Sequence, residues 1–520
     1  MSPAGLRESV HPALLAGVGG GLLALSGEPW SWNLLGFLSL GLLLEALERS
    51  GRRARPVLTS GLVGLAFGAV VNGIALYSIG SLLQAFGGFS PLVAWPIACL
   101  AFAAQGLPYA ACGVLTTYCA RAGLPRWLSF PACLVLALWL TPQLFPWRPS
   151  APQVDFLWFV QIADLGGQAL LDLCMAAVAS GTWQALRSLK PQREAAWAPA
   201  IVAGLSLALP CGYGYLRLGQ VRSARNDAQA VRVGVVQSNV GIQLKHDPAR
   251  SLEILADLKR LTGKLERQGS QLTVWAETAY PYALLRSRGA QPDDERTIVD
   301  ASVRGPVLIG AVTYSERGGV QSKYNTAWLL RENGRFGDRV DKSRLLAFGE
   351  YVPFWSYLPP LQEKYPSPGF EAGENDVIRV HPAGSAGSLR FGILICYEDL
   401  FADLARKVVE RRADVLLNMT NDAWFGDSNE PALHDMVARL RAVETRRDLV
   451  RVVNTGVSSV SSATGELLLR TRTFTQASFV ADVRIMSEIT PYTCWGDWLP
   501  PLLACVLAAA LVRRRLRRAP

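Results

Sequence analysis

The 520-residue chain carries little charge for its length. Asp, Glu, Lys and Arg make up 18% of it against 50% apolar residues, with a mean hydropathy of +0.20. That scarcity excludes an ordinary soluble enzyme, while the charge that remains excludes a pure membrane bundle, so two regions must meet different solvents. Histidine is rarer still, at four residues. No His/Cys/Asp/Glu run has metal-ligand spacing and no Gly-rich phosphate loop occurs, so neither a metal nor a cofactor is expected. Cysteine is the most telling shortage. Of nine, Cys99, Cys112, Cys119, Cys133, Cys174 and Cys505 fall in or beside apolar runs and Cys211 and Cys494 near the ends of such runs, leaving Cys396 alone within residues 219–490. No disulfide framework follows from that distribution. A single thiol on the oxidising side of a membrane is a liability unless buried or used, which makes Cys396 a candidate nucleophile.

Long apolar runs fill the charge-poor regions. About 20 apolar helical residues cross a hydrocarbon core, and runs near 11–27, 32–47, 57–78, 90–111, 128–146, 164–186, 196–216 and 495–512 predict about eight spans. The stretch near 79–120 is long and broken by Gly and by Pro108, where a kink or half-helix is expected. Arg7 before an apolar run imitates a secretory signal, but further spans follow, so the first helix is read as retained. Positive charge alternates between the connecting loops: Arg49, Arg52, Arg53 and Arg55, then Arg121 and Arg126, then Arg187, Lys190 and Arg193, with a basic tail at Arg513–Arg518. Such loops stay cytoplasmic, which places both termini in the cytoplasm and residues 219–490 outside it. The chain then divides into a transmembrane region at 1–218, a soluble domain at 219–490, and a last span with its basic tail at 491–520. Much of the +10 net charge lies in these loops and tail, where topology and anionic headgroups account for it, so nucleic acid is not expected as a partner. Asp164 and Asp172 fall in or beside the sixth run. Intramembrane acids are functional suspects, and interhelical hydrogen bonding accounts for them equally well.

The soluble stretch alternates strand and helix signals. Val231–Gln237 reads as a strand, the 3.6-residue spacing of Leu252, Leu255, Leu258, Leu261 and Leu265 as a helix, and Leu272–Trp275 as the next strand. Further strands are expected near 307–313, 326–331, 389–395, 414–419 and 450–453, with helices near 399–411 and 433–446, as in a layered α/β sandwich. Glu277 follows the second strand. Cys396 ends the run Phe391–Ile395 and precedes a helical pattern, putting a thiol at a strand-to-helix elbow. Residues from distant strands converge beyond the carboxyl ends of such sheets. Glu277, Lys342 and Cys396, in that order, are therefore candidates for one nucleophilic site. Taken singly, the plainer readings are a surface carboxylate, a solvated loop lysine and a small buried apolar residue. Lys323 and His434 are weaker candidates, a lone His near a helix start being more often structural.

At these residues the sequence resembles the nitrilase superfamily, whose members use Glu, Lys and Cys in this order within an α-β-β-α sandwich. Phe348-Gly349-Glu350-Tyr351-Val352-Pro353, Ile395-Cys396-Tyr397-Glu398 and Asn454-Thr455-Gly456 are similar to its membrane-bound branch, the apolipoprotein N-acyltransferases. That branch also carries a multi-span region before the nitrilase-like domain and one span after it. The chain differs at Val340 and Ala347, where the branch usually has an aromatic residue and a proline.

The resemblance implies that Cys396 takes an acyl chain from a phospholipid, expected to be phosphatidylethanolamine, and passes it to the α-amino group of a diacylglyceryl-cysteine apolipoprotein. It also implies Glu277 as base, with Lys342 and the Tyr397 amide at the oxyanion, Glu350 holding the lysine and Glu398 supporting the elbow. Two aromatic loops, 353–369 with Trp355 and 423–433 with Trp424 and Phe425, have the length and composition of lids at a lipid interface. The expected place is the inner membrane, and a monomer is expected because fused spans cover surfaces that soluble relatives use to assemble. A membrane-tethered amidase or nitrilase, giving the thioester to water, is the alternative enzyme. A third reading, a transporter or receptor with a non-catalytic binding domain, conflicts with the intact Glu277, Lys342, Glu350 and Cys396 set.

Overall fold

The computed structural model describes residues 11–85, 87–188, 197–245, 247–317, 320–347, 349–352, 357, 359, 369–374, 376–384 and 387–517. These fall into two units. The first comprises Met1–Val221, Ser428–Glu444 and Thr490–Pro520, and the second Arg222–Asp427 and Thr445–Ile489.

In the first unit, Ala-, Leu- and Gly-rich runs form helices because little in them competes for backbone hydrogen bonds. Among the described residues, four stretches are long and apolar enough to cross a membrane: Pro56–Ala75, Pro91–Arg121, Ala163–Ser188 and Trp197–Asp227. Helices Pro12–Ser26 and Arg126–Leu140 are apolar but 15 residues each. Leu35–Ser50 carries Glu45, Glu48 and Arg49, and Leu499–Leu516 ends in Arg513, Arg514 and Arg515. The expected break near Pro108 is present. Helix Pro91–Gln105 stops at Gly106 and Leu107–Arg121 begins with Pro108 in its first turn, where a missing N–H costs nothing. Helix Ala163–Ser188 is kinked at Gly166 and Gly167; Gly167 has φ +63°, and a Cβ there would collide with the Tyr492 ring. Both suspect acids are paired. Asp164 accepts hydrogen bonds from Tyr213 Oη and Arg217 Nε, each at 2.9 Å, and Asp172 from the Ser150 amide at 3.1 Å and Arg148 at 3.4 Å.

Among the described residues the second unit has thirteen strands: β1 (Ala230–Gln237), β2 (Leu272–Trp275), β3 (Leu284–Leu285), β4 (Val307–Arg317), β5 (Val320–Leu330), β6 (Phe336–Asp341), β7 (Val377–Val380), β8 (Leu389–Ile395), β9 (Val415–Thr420), β10 (Leu449–Val453), β11 (Ser459–Ser461), β12 (Leu467–Arg470) and β13 (Ala477–Arg484). One sheet has the order β13-β1-β2-β4-β5-β6, with β3 on β4, and the other β12-β11-β10-β9-β8-β7. The central pairs β1/β2, β2/β4, β8/β9 and β9/β10 are parallel, and antiparallel strands flank them. Parallel strands are covered on both faces and read as continuous apolar runs. The sheets stack through one core, in which Val233, Val235, Val274 and Leu308 meet Phe391, Ile393, Leu417 and Val450. Helix Ser251–Arg267 covers the first sheet with Leu255, Leu258, Leu261 and Leu265. Helix Ala402–Glu410 lies on the second, where a Cβ at Gly392 would strike Val408. This is a nitrilase-like α/β sandwich. The strands expected at 307–313 and 326–331 are longer, forming an eleven-residue hairpin, because cross-strand pairing carries them through a polar stretch that alternation alone does not mark.

Candidate active site

Cys396 opens a short 3₁₀ turn, Cys396–Leu400, directly after β8. Its φ is +57°, a left-handed conformation that a non-glycine residue adopts only when its surroundings impose it. Those surroundings are visible. The buried Glu398 carboxylate accepts the Ile395 amide at 2.7 Å on one oxygen, and on the other the Ser343 amide and hydroxyl, each at 2.7 Å, and the Arg344 amide at 2.9 Å. One carboxylate thus ties the elbow to the loop that follows Lys342. Tyr397 adds a second tie, its hydroxyl donating to the Leu345 carbonyl at 2.9 Å. From below, Asn418 on β9 donates to the Cys396 carbonyl at 2.8 Å and the Leu394 carbonyl at 3.2 Å. The next charged group on the turn, Asp399, forms a fully buried ion pair with Arg451 on β10.

Lys342 follows β6 and is 1% exposed. Its ammonium lies 2.8 Å from Glu350 Oε2 and 3.4 Å from Glu277 Oε1, and 5.3 Å from the centre of the Tyr397 ring. Asn325, on β5, bridges the two acids by donating from Nδ2 to Glu277 Oε1 at 2.6 Å and Glu350 Oε1 at 3.0 Å. Glu350 is fixed further by the Leu346 amide, 2.9 Å from its Oε2. Glu277 sits in a turn after β2 that lies on Gly310, where a Cβ would overlap the Ala276 carbonyl and the Glu277 Cα. Only glycine allows that approach.

Burial pulls the Lys342 ammonium down, but the charge of Cys396 when it is ionised and those of Glu277 and Glu350 outweigh it and hold the group well above the usual lysine range. Lys342 is therefore a cation throughout the working range. Cys396 is half-buried by surface, yet the packed protein around it pushes the thiol well above its ordinary value. The Glu277 and Glu350 charges push it further in the same direction, while Lys342 and the Thr420 hydroxyl oppose them. Together these effects favour the thiol over the thiolate at Cys396. The donors met by Glu277 and Glu350 are an ammonium and an amide, which suits proton transfer and charge stabilisation.

The fold thus brings Glu277, Lys342 and Glu350 into direct contact, with Cys396 near enough for their charges to act on its thiol, and it threads Tyr397 and Glu398 into the elbow. Trp424 and Phe425 lie on a 3₁₀ turn, Asp422–Phe425, after β9, with Trp424 38% exposed. Trp355 lies outside the described residues. Sequence reasoning missed three participants. Asn325 and Asn418 are polar residues inside strands, a weak signal that a buried polar partner exists. Lys245 is the third. Its ammonium donates to the Glu277 carbonyl at 3.1 Å and Thr278 Oγ1 at 2.6 Å. Burial lowers it to about 8 against the opposing charges of Glu277 and of Cys396 when that is ionised. Asn454, from the third motif, joins the ends of β1 and β9: it accepts from Ser238 Oγ and the Val240 amide and donates to Asn421 Oδ1 at 3.0 Å.

Residues 19–181 match the model of the apolipoprotein N-acyltransferase N-terminal domain and residues 232–490 that of the carbon-nitrogen hydrolases. An apolipoprotein N-acyltransferase of Gloeobacter violaceus is 31% identical, the alignment covering 98% of this chain and 95% of that one. One from Geobacter metallireducens is 28% identical over 98% and 96% of the two chains. Among solved structures, yeast Nit3 of the nitrilase superfamily aligns with 49% of this chain and 90% of its own at 16% identity, with a TM-score of 0.36. Apolar helices and these relatives together make the protein membrane-bound. With both halves matched along nearly the whole length, the chain belongs to the apolipoprotein N-acyltransferase family.

Proposed function

We propose that this protein moves an acyl chain from a phospholipid, through a thioester on Cys396, to the N-terminal α-amino group of diacylglyceryl-cysteine apolipoproteins, giving triacylated lipoproteins. The observation that carries the reading is the Glu277–Lys342–Glu350 cluster, bridged by Asn325, beside the strained Cys396 elbow.

The reaction follows from the protonation states. Cys396 Sγ attacks the ester carbonyl as its proton passes to Glu277, which avoids forming a free thiolate between two carboxylates. Negative charge collects on the carbonyl oxygen. Lys342, held cationic, and the Tyr397 backbone N–H meet it there, a contribution of about 3 kcal/mol for each such donor. The C–O bond breaks, and the lysophospholipid departs with the proton from Glu277. In the second half the acceptor amine attacks the thioester, Glu277 takes the amine proton, the C–S bond breaks and the sulfur recovers that proton as the amide forms. Donor and acceptor use one thiol in turn, so the kinetics are ping-pong. Glu350 keeps Lys342 in place, and Glu398 keeps the elbow. The cycle uses no cofactor or metal.

Phosphatidylethanolamine is the proposed donor. Because each buried CH₂ is worth about 0.8 kcal/mol, the donor stays in the bilayer and the site must open towards it. Trp355, Trp424 and Phe425 belong to the loops proposed to border that opening. We assign residues 1–218 to an N-terminal membrane region, 219–490 to the catalytic domain and 491–520 to a last span with its tail. The topology proposed is about eight spans in the bacterial inner membrane, both termini cytoplasmic and the catalytic domain on the far side, supported by the alternation of Arg-rich loops. A monomer is proposed.

The test is intact-protein mass spectrometry of the purified protein and of Cys396→Ala after incubation with phospholipid and no acceptor. A hydroxylamine-labile acyl adduct on the native protein alone is expected. An adduct that water clears as fast as an apolipoprotein peptide does would make the protein a membrane-tethered hydrolase, and no adduct at all would remove covalent acyl transfer.

A further inference from the structure

Helices Pro56–Ala75 and Leu107–Arg121 pack antiparallel, with Ser60 against Gly113 and Thr117 at one end and Gly68 against Gly106 at the other. At Gly64, Gly68 and Gly113 the facing backbone stands where a Cβ would go, so the seam closes without side chains between the helices. Thr117 Oγ1 donates to Ser60 Oγ at 2.7 Å across it. Beside this seam runs a groove of about 700 Å³, within the range that takes a sizeable ligand. Its walls are apolar: Leu58 and Leu62 are 53% and 56% exposed, and Val114 faces them. Gly61 keeps it open, since a Cβ there would already stand 3.1 Å from Val114 Cγ2.

The ends of the two helices decide what fits. Antiparallel packing brings the start of one helix to the end of the other, so Arg55, the residue before Pro56, and Arg121, the last residue of its helix, line the same groove. A guanidinium presents a fork of donors suited to phosphate oxygens. The amino end of a twenty-residue helix adds a partial positive charge at the same place. Both walls belong to helical stretches long and apolar enough to cross a membrane, where an apolar trough is filled by an acyl chain. Two cations at its end then select the headgroup.

We propose that this groove is a binding site for an anionic phospholipid, with the phosphate between Arg55 and Arg121 and one acyl chain along Leu58, Leu62 and Val114. Its lining shares no residue with the Cys396 site, and its occupant is held rather than consumed.

The experiment is native mass spectrometry of the full-length protein in detergent after exchange with equimolar phosphatidylglycerol and phosphatidylcholine. At about 5-fold per arginine, the native protein is expected to retain phosphatidylglycerol by on the order of 30-fold over phosphatidylcholine. Arg55→Gln/Arg121→Gln should fall to near parity with its thermal midpoint unchanged. Gly61→Phe, which leaves both arginines in place but fills the trough, should lose the bound phosphatidylglycerol. Chainless glycerol 3-phosphate should fail to displace it. Equal retention of the two lipids by the native protein, an undiminished preference in the double variant, retention in Gly61→Phe, or displacement by glycerol 3-phosphate would each overturn the proposal.

Discussion

Asn325 offers a sharp test of how the acid cluster works, because it touches both acids and is itself neither acid, base nor nucleophile. Its Nδ2 supplies one hydrogen to Glu277 Oε1 at 2.6 Å and the other to Glu350 Oε1 at 3.0 Å, and the residue is buried. The Asn325→Ala change removes two hydrogen bonds to charged acceptors and leaves Glu277 with Lys342, and Glu350 with Lys342 and the Leu346 amide. A hydrogen bond to a charged group contributes about 1.5–3 kcal/mol. If one such increment is lost from the alignment of Glu277 with the Cys396 proton, acylation slows by roughly 10- to 150-fold, at a factor of ten per 1.4 kcal/mol. Asn325→Asp should be at least as damaging, since it places a third carboxylate among two that already depend on one ammonium. The assay is the rate of adduct appearance on Cys396, followed by intact-protein mass spectrometry with phospholipid and no acceptor, alongside thermal unfolding in the same detergent. A folded Asn325→Ala protein that forms its adduct at the native rate would refute the view that the bridged pair of acids governs proton removal.

Other substitutions probe the supports and the second lysine. In Glu398→Gln an amide must face donors that a carboxylate oxygen accepts, so unfolding free energy should drop by about 1–3 kcal/mol and adduct formation should slow, read by thermal unfolding and by the same adduct assay. Arg451→Met leaves Asp399 buried without its cation and should destabilise the protein by about 3–5 kcal/mol, measurable as a loss of folded protein on heating. For Lys245 the sign is set by its lowered value of about 8: the ammonium is present below that pH and lost above it. Adduct formation should therefore decline as pH rises through about 8 in the native protein, lose that decline in Lys245→Arg, and start from a lower rate near neutrality in Lys245→Met. A pH profile identical in all three proteins would show that the Lys245 charge does not reach the reaction.

What the amino-acid sequence by itself determined was local in origin. Apolar runs without charge are long enough to demand lipid wherever they lie, and Pro108 with Gly106 had to interrupt the helix there, because a missing N–H and a missing side chain act on their own turn. Val231–Gln237, Leu272–Trp275 and Phe391–Ile395 read as strands, since short runs rich in β-branched and other apolar residues suit a buried extended backbone. The positions of Glu277 and Cys396 at strand ends were legible for the same reason. Tertiary structure alone decided the partners. Asn325 stands 48 positions from Glu277 and 25 from Glu350, and Glu398 reaches 55 back to Ser343. No local pattern encodes such contacts; they exist because β2, β5 and β6 are neighbours in one sheet order, with β4 between, and because β8 lies in the sheet stacked on it. Lys245, at the end of the short helix Ile242–Lys245, belongs to no motif, and only the fold sets it against the Glu277 carbonyl. Arg55 and Arg121 likewise read as separate loop charges until antiparallel packing at Ser60, Gly64 and Gly68 carried them to one end of the same groove. Burial and periodicity are properties of a segment, whereas a site is a property of segments meeting, and the meeting is specified by the sum of all the packing rather than by any stretch of chain.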